Sequence, residues 1–271
     1  MSQGNLMIFI NFPSMLIVGG GVFAAVMINF GLDALKVSFM VVKEVLGAKE
    51  QDLRTDIELM NMFSRKVRRE GLLMLEDDVQ QVEHSYLKNG LQLAIDGVTK
   101  ESLERILEDQ IKSLERRYGK SCDVLDSMAN YSPAFGMIGT VIGLVLMLQN
   151  ISDPNTLASG LSVALITTFY GTVLANMIFG PLAGKVGHAE DIEKSRYEMF
   201  KVAIISIVNE ENPRIMEKKM LSYVTPEKRT EYIKYYDDRG YSKKRDQVLY
   251  ETWTKQQGNS WEDLLKALET G

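Results

Sequence analysis

The strongest constraint on this chain is the placement of its charges. Residues 1–30 contain no Asp, Glu, Lys or Arg, and residues 129–184 contain only Asp153. Every Lys and Arg falls in residues 31–128 or 185–271. The mean hydropathy of -0.08 is therefore an average over two different kinds of chain. Uncharged blocks of this length between charged ones describe an all-α polytopic membrane protein with large aqueous helical regions. A span needs about 20 apolar residues. Residues 5–30 supply one span, and residues 129–151 and 156–182 supply two more. The polar turn Ser152-Asp153-Pro154-Asn155 makes the last two antiparallel neighbours. A buried soluble hairpin is the competing reading, and it requires an unusually large core.

Lys36, Lys43, Lys120 and Lys185 flank the spans, whereas the turn at Asp153 carries no basic residue. This bias places both charged regions in the cytoplasm and the turn outside. The first span then starts outside, although only a few uncharged residues precede it. An upstream span is expected on topology, with a short translocated N-terminus as the alternative.

The chain divides by composition into a span at 1–30, a cytoplasmic helical region at 31–128 and a membrane hairpin at 129–184. A helical extension follows at 185–225, then a charged tail at 226–271. Leu32, Leu35, Phe39, Val42 and Leu46 follow a helical repeat that relaxes at Gly47. Leu103, Ile106, Leu107, Ile111 and Leu114 follow another. Asn212-Pro213 predicts a break, with Pro213 opening a new helix. The tail holds Tyr232, Tyr235, Tyr236, Trp253 and Trp261, which either dock a partner or pack on the chain itself.

A net charge of -5, without a sustained basic surface, argues against a nucleic-acid partner. One cysteine excludes an internal disulfide, and two histidines exclude a His-rich metal site. No Ser-His-Asp, Cys-His or CxxC arrangement is evident, and Ser14, Ser132 and Ser162 have no neighbouring sequence partner. The chain is not read as an enzyme, and no cofactor or structural metal is expected.

The last two spans carry a narrower pattern. Gly136, Thr140 and Gly143 share one helix face, and Gly139 with Gly143 forms a small-x-x-x-small pair. Ala164, Thr168, Gly171 and Ala175 form a matching face, with Thr167 beside Thr168. This pattern serves either helix packing or a path for a cation. Threonine hydroxyls and backbone carbonyls can coordinate Na⁺ or order water, but they cannot carry a proton by ionising. No span contains Asp, Glu, Lys, Arg or His, so a carboxylate for such a path must come from another chain.

Five ordered motifs over residues 4–225 resemble the flagellar stator A subunits of the MotA/PomA family, related to the wider MotA/TolQ/ExbB ion-channel superfamily. They are Phe12-Pro13-Ser14-Met15-Leu16-Ile17-Val18-Gly19-Gly20-Gly21, Arg68-Arg69-Glu70-Gly71-Leu72-Leu73-Met74-Leu75-Glu76, and Tyr131-Ser132-Pro133-Ala134-Phe135-Gly136-Met137-Ile138-Gly139-Thr140-Val141-Ile142-Gly143. The fourth combines Thr167-Thr168-Phe169-Tyr170-Gly171 with Phe179-Gly180-Pro181-Leu182-Ala183, and the fifth is Glu211-Asn212-Pro213-Arg214. The resemblance implies a multi-pass protein of the bacterial inner membrane. It implies a homo-pentamer around a dimer of a MotB/PomB-like B subunit, whose membrane aspartate carries Na⁺ or H⁺.

By the same resemblance, Thr140, Thr167 and Thr168 line the ion path, with a lean toward Na⁺. Gly136, Gly139, Gly143 and Gly171 pack helices. Pro133 and Pro181 either respond to ion binding or simply end their helices. Arg68 and Glu76, with Arg69 beside them, would meet the rotor switch protein FliG. Eight residues apart, Arg68 and Glu76 fit one helix face unless Gly71 bends the segment. Gly4-Asn5-Leu6 matches the stretch after the family's first membrane helix, so three spans are expected here with that helix missing. Two rival readings stand beside this one: an ExbB/TolQ-like energising subunit of an envelope transport system, and a passive membrane scaffold.

Overall fold

A computed structural model describes residues 9–48, 53–149 and 154–238, and every regular element among them is helical. The helices are α1 (Phe12–Met15), α2 (Gly21–Gly47), α3 (Leu53–Glu70), α4 (Glu76–Gln80) and α5 (Ser85–Ile95). They continue with α6 (Lys100–Gln149), α7 (Pro154–Val173), α8 (Gly180–Val208), α9 (Pro213–Leu221) and α10 (Pro226–Asp238). Among the described residues three helical stretches are long and apolar enough to cross a membrane: Phe12–Gly47, Lys100–Gln149 and Leu157–Val208. The turn residues Ser152 and Asp153, the segment Gly4-Asn5-Leu6, and Trp253 and Trp261 lie outside the described residues.

The chain forms two compact units. One, the membrane unit, comprises Met1–Ala48 with Glu115–Asp191, and the other, the helical unit, comprises Lys49–Leu114 with Ile192–Gly271. The composition changes at 128/129 and 184/185 are not helix ends, because α6 and α8 run through them unbroken. A backbone satisfied entirely within its own helix can change solvent without changing conformation.

In the membrane unit, Asn11 caps α1 by accepting a hydrogen bond from the Ser14 N–H at 3.0 Å. Pro13 falls in that first turn, where its missing N–H removes no helical bond. A π-helical turn, Leu16–Gly20, leads into α2. Within α2, Gly31 leaves the helical region with φ 78°, a conformation that side chains disfavour. Large apolar side chains such as Ile28, Met137, Val141 and Leu165 point outward. The buried positions include the smaller Val18, Val22, Val26 and Ala164. Such an arrangement suits lipid or neighbouring membrane helices.

The helical unit is built the opposite way. Ile57, Met60, Phe63, Leu75, Tyr86, Leu87, Leu91, Leu103, Leu107, Phe200 and Ile204 are almost completely enclosed in one core. Each large apolar side chain buried this way contributes about 1.5–3 kcal/mol. Gly71 closes α3 with φ 88° and separates it from α4. Arg68 and Glu76 therefore do not share a helix face: the first ends α3 and the second begins α4. The buried Asp56 carboxylate accepts two hydrogen bonds from Arg196, from Nε at 2.7 Å and Nη2 at 3.0 Å, joining α3 to α8. His84 Nε2 stands 3.9 Å from Glu193, and this neighbouring imidazole holds the Glu193 carboxyl below its ordinary range, with Arg196 adding to the effect.

Asn212 caps α9 and Pro213 opens it. Tyr232 of α10 is buried and donates to Glu217 at 2.8 Å, while Arg54 lies over the Tyr235 ring at 4.5 Å. For these two tyrosines, packing on the chain itself accounts for the aromatic character seen in the sequence.

Candidate functional site

The site lies where α6 crosses α7, and glycine makes that crossing possible. A Cβ on Gly143 would stand 2.6 Å from both the Ala164 nitrogen and the Gly160 oxygen. One on Gly171 would stand 2.6 Å from the Ser132 oxygen and 3.2 Å from the Gly136 Cα. At Gly136 it would reach the Thr167 oxygen at 3.0 Å, and at Gly139 it would overlap the Thr167 side chain. Main chain thus meets main chain along the crossing, which brings carbonyl oxygens and short hydroxyl side chains together. Gly160 is part of the same contact: its Cβ would lie 2.8 Å from the Gly143 oxygen. Sequence reading passed over it, although Gly160 and Ala164 form a small-x-x-x-small pair.

Thr140, Thr167 and Thr168 do come together. The Thr140 and Thr168 hydroxyl oxygens are 2.5 Å apart, close enough that one donates to the other. Thr140 also lies within hydrogen-bonding distance of the Gly136 carbonyl at 3.0 Å and the Ala164 carbonyl at 3.1 Å. Thr168 reaches the same Ala164 carbonyl at 3.2 Å, and the fully buried Thr167 reaches it at 3.1 Å. Thr167 has a shorter bond to the Val163 carbonyl, at 2.8 Å. Ala164 O thus lies within hydrogen-bonding reach of three hydroxyls, of which at most two donate to it at once, and a main-chain atom of this kind has no sequence signature.

Each threonine has a single hydroxyl proton, so the proton order in this cluster is restricted. If Thr140 donates to Thr168, then Thr168 donates to Ala164 O. If Thr168 donates to Thr140, then Thr140 donates to a carbonyl, and the exposed Thr168 keeps its oxygen lone pairs free. The cluster offers hard oxygen donors without an ionisable group. That chemistry suits a partly dehydrated cation or an ordered water, and it cannot store a proton. Among the described residues no group of three or more His, Cys, Asp or Glu is placed to hold a metal.

The two prolines do not end their helices. Pro133 lies inside α6, one turn from Gly136. The hydroxyl of the preceding Ser132, wholly buried, donates to the Met128 carbonyl at 2.6 Å. Pro181 follows a π-helical turn, Leu174–Phe179, in which the Gly180 N–H reaches back to the Ala175 carbonyl. A proline ring collides with the carbonyl four residues earlier, and the wider turn relieves that collision while the chain stays helical. A side chain at 180 would press on the Ala175 oxygen at 2.9 Å.

Arg68, Arg69 and Glu76 are exposed on either side of the Gly71 break, away from this crossing in sequence and within the helical unit. Between them Leu73 and Met74 are 70% and 52% exposed. The break is braced by a partly buried ion pair, Lys66 to Asp78 at 2.6 Å. Sequence reading identified the charges but missed this apolar tip and its brace.

Comparison with known proteins agrees with the motif order. The profile of the MotA/TolQ/ExbB proton channel family matches residues 78–199. Motility protein A of Aquifex aeolicus is 36% identical over 83% of this chain and 90% of its own length. The uncharacterised protein YtxD of Bacillus subtilis is 35% identical over 81% of this chain and 80% of its own length. Among solved structures, C. jejuni MotAB superposes with a TM-score of 0.76 at 27% identity, covering 83% of this chain and 88% of that one.

Proposed function

The chain belongs to the MotA/TolQ/ExbB proton channel family, and from that membership we propose that it is a stator subunit of the bacterial flagellar motor. In this reading it sits in the inner membrane as five copies around two copies of a MotB/PomB-like B subunit. Ion flow through the assembly becomes torque on the rotor. The observation that carries the reading is the convergence of Thr140, Thr167 and Thr168 on the Ala164 carbonyl, at a crossing without an ionisable side chain. Such a site needs a carboxylate from a second chain, and the resemblance assigns that role to the B-subunit aspartate.

The hydroxyl cluster is the half of the pathway that this chain supplies. A cation bound to the partner's carboxylate exchanges part of its hydration for the Thr168 and Thr140 oxygens and the Ala164 carbonyl. Three oxygens of this kind favour Na⁺, and water ordered on them would serve H⁺. Contacts at Gly136, Gly143 and Gly171 transmit a change in the site directly between the α6 and α7 backbones, because main chain meets main chain there. Torque then reaches the rotor protein FliG through Arg68, Arg69 and Glu76. Exposed charges on a braced turn favour rapid, aligned encounters.

Thr168→Ala tests this reading. The variant should reach the membrane and retain its B subunit, while swimming falls by about tenfold or more through loss of a positioned oxygen. Normal swimming at wild-type expression, in cells without a second stator, would remove Thr168 from the pathway.

A further inference from the structure

A second polar contact in the membrane unit lies on another side of α7. The Asn11 N–H donates to the Tyr170 hydroxyl at 3.2 Å, and that hydroxyl donates in turn to the Phe9 carbonyl. The Phe9 ring packs on Phe169, with centroids 5.3 Å apart. Phe9–Asn11 precedes α1, so the hydrogen-bond ladder of α1 does not serve these two backbone groups. At membrane depth such groups need an internal partner, and one phenol here satisfies a donor and an acceptor together.

The position of Tyr170 gives this contact a further consequence. It lies two residues beyond Thr168, only about 3 Å along the helix axis and roughly 160° away around it. On one side α7 rests on the glycines of α6, a contact made of van der Waals surfaces that constrain separation more than rotation. The hydrogen bonds of Tyr170 are directional, and they oppose turning of α7 about its own axis. The rotation of α7 in turn decides whether Thr168 faces Thr140 at 2.5 Å. Asn11 strengthens the anchor by capping α1, and Pro13 stiffens the turn that follows it.

We propose that Tyr170 is a positioning residue for the ion-coupled step: its hydroxyl ties α7 to the start of α1 and thereby orients Thr168. This rests on the reading that Thr168 lines the pathway. The phenol is assigned no direct contact with the ion.

The test uses Tyr170→Phe in the full chain with its B subunit, in cells lacking other stators. Motors are followed one stator at a time as units join, so the speed gained per unit is read independently of how many assemble. The concentration of driving ion that gives half-maximal speed is measured by titrating Na⁺ at fixed pH, and H⁺ at fixed Na⁺. The expected result is a complex that still assembles, with that half-saturating concentration raised about threefold or more because the oxygens are misaligned. An unchanged constant with reduced assembly would make Tyr170 a folding residue and overturn the proposal, as would complete failure to assemble. Thr168→Ala is run beside it. A defect in Thr168→Ala with a wild-type constant in Tyr170→Phe refutes the positioning role alone, whereas wild-type behaviour in Thr168→Ala refutes the pathway beneath it.

Discussion

The membrane unit and the helical unit are made of the same kind of helix packed by opposite means. In the helical unit, Phe63, Tyr86, Leu87 and Phe200 fill the space between helices, and burial of their apolar surface holds them there. In the membrane unit many large side chains face outward, and α6 meets α7 through Gly136, Gly139, Gly143, Gly160 and Gly171. Lipid provides no gain from hiding a leucine, so close approach and internal polar contacts take over. The lesson bears on function as well: the second mode gathers several carbonyls and short hydroxyls at one helix crossing, as the proposed ion path requires.

The largest expected effect breaks one side of this contrast. Asp56→Ala leaves Arg196 charged and buried without its bidentate partner, at a cost of about 3–5 kcal/mol. Hydrogen exchange should accelerate across α3 and residues 192–208 while residues 129–182 keep their protection. Equal loss in both would mean that the two units do not hold together separately.

Gly143→Ala attacks the other side. The new methyl meets main-chain atoms at 2.6 Å that cannot rotate away, so the α6–α7 crossing must open, costing about 1–3 kcal/mol. Swimming and recovery of the complex with its B subunit should fall together, with the helical unit unaffected. A fully functional Gly143→Ala protein would show that the crossing tolerates more separation than its geometry allows.

The smallest effect sharpens the contrast through pH. The Glu193 carboxyl is held below its ordinary range by His84 and Arg196, so its contribution is present above the usual carboxylate range and lost as pH falls through the lowered one. Glu193→Gln should remove that part of the acid sensitivity, about 1 kcal/mol or less for a partly exposed pair. Melting curves of wild type and variant should then converge at low pH and differ near neutrality. A constant difference across the titration would assign the stabilisation to something other than charge.

Much of this molecule is legible in its residues alone. The uncharged blocks announce the three spans because hydrocarbon tolerates few charges. The break at Gly71 and the start at Asn212-Pro213 follow from local backbone chemistry, which needs no distant partner. The threonines stood out by spacing on their own helices, and the motif order pointed to the family. Proline left two readings open: a missing N–H predicts a disturbance, but whether the helix ends or opens into a π-helical turn depends on the glycine beside it and on the neighbours.

What the sequence determined by itself is therefore where solvent changes, where local geometry breaks, and which residues can offer oxygen to a cation. Tertiary structure decided which of these meet. Thr140 and Thr168 join across 28 residues, Tyr170 and Phe9 across 161, and Arg196 and Asp56 across 140. Helical periodicity assigns a face to a side chain but leaves open the rotation of one helix against another. Here the separation is set by main-chain contact at glycine and the rotation by hydrogen bonds to carbonyl oxygens, groups that every residue carries and no sequence pattern distinguishes.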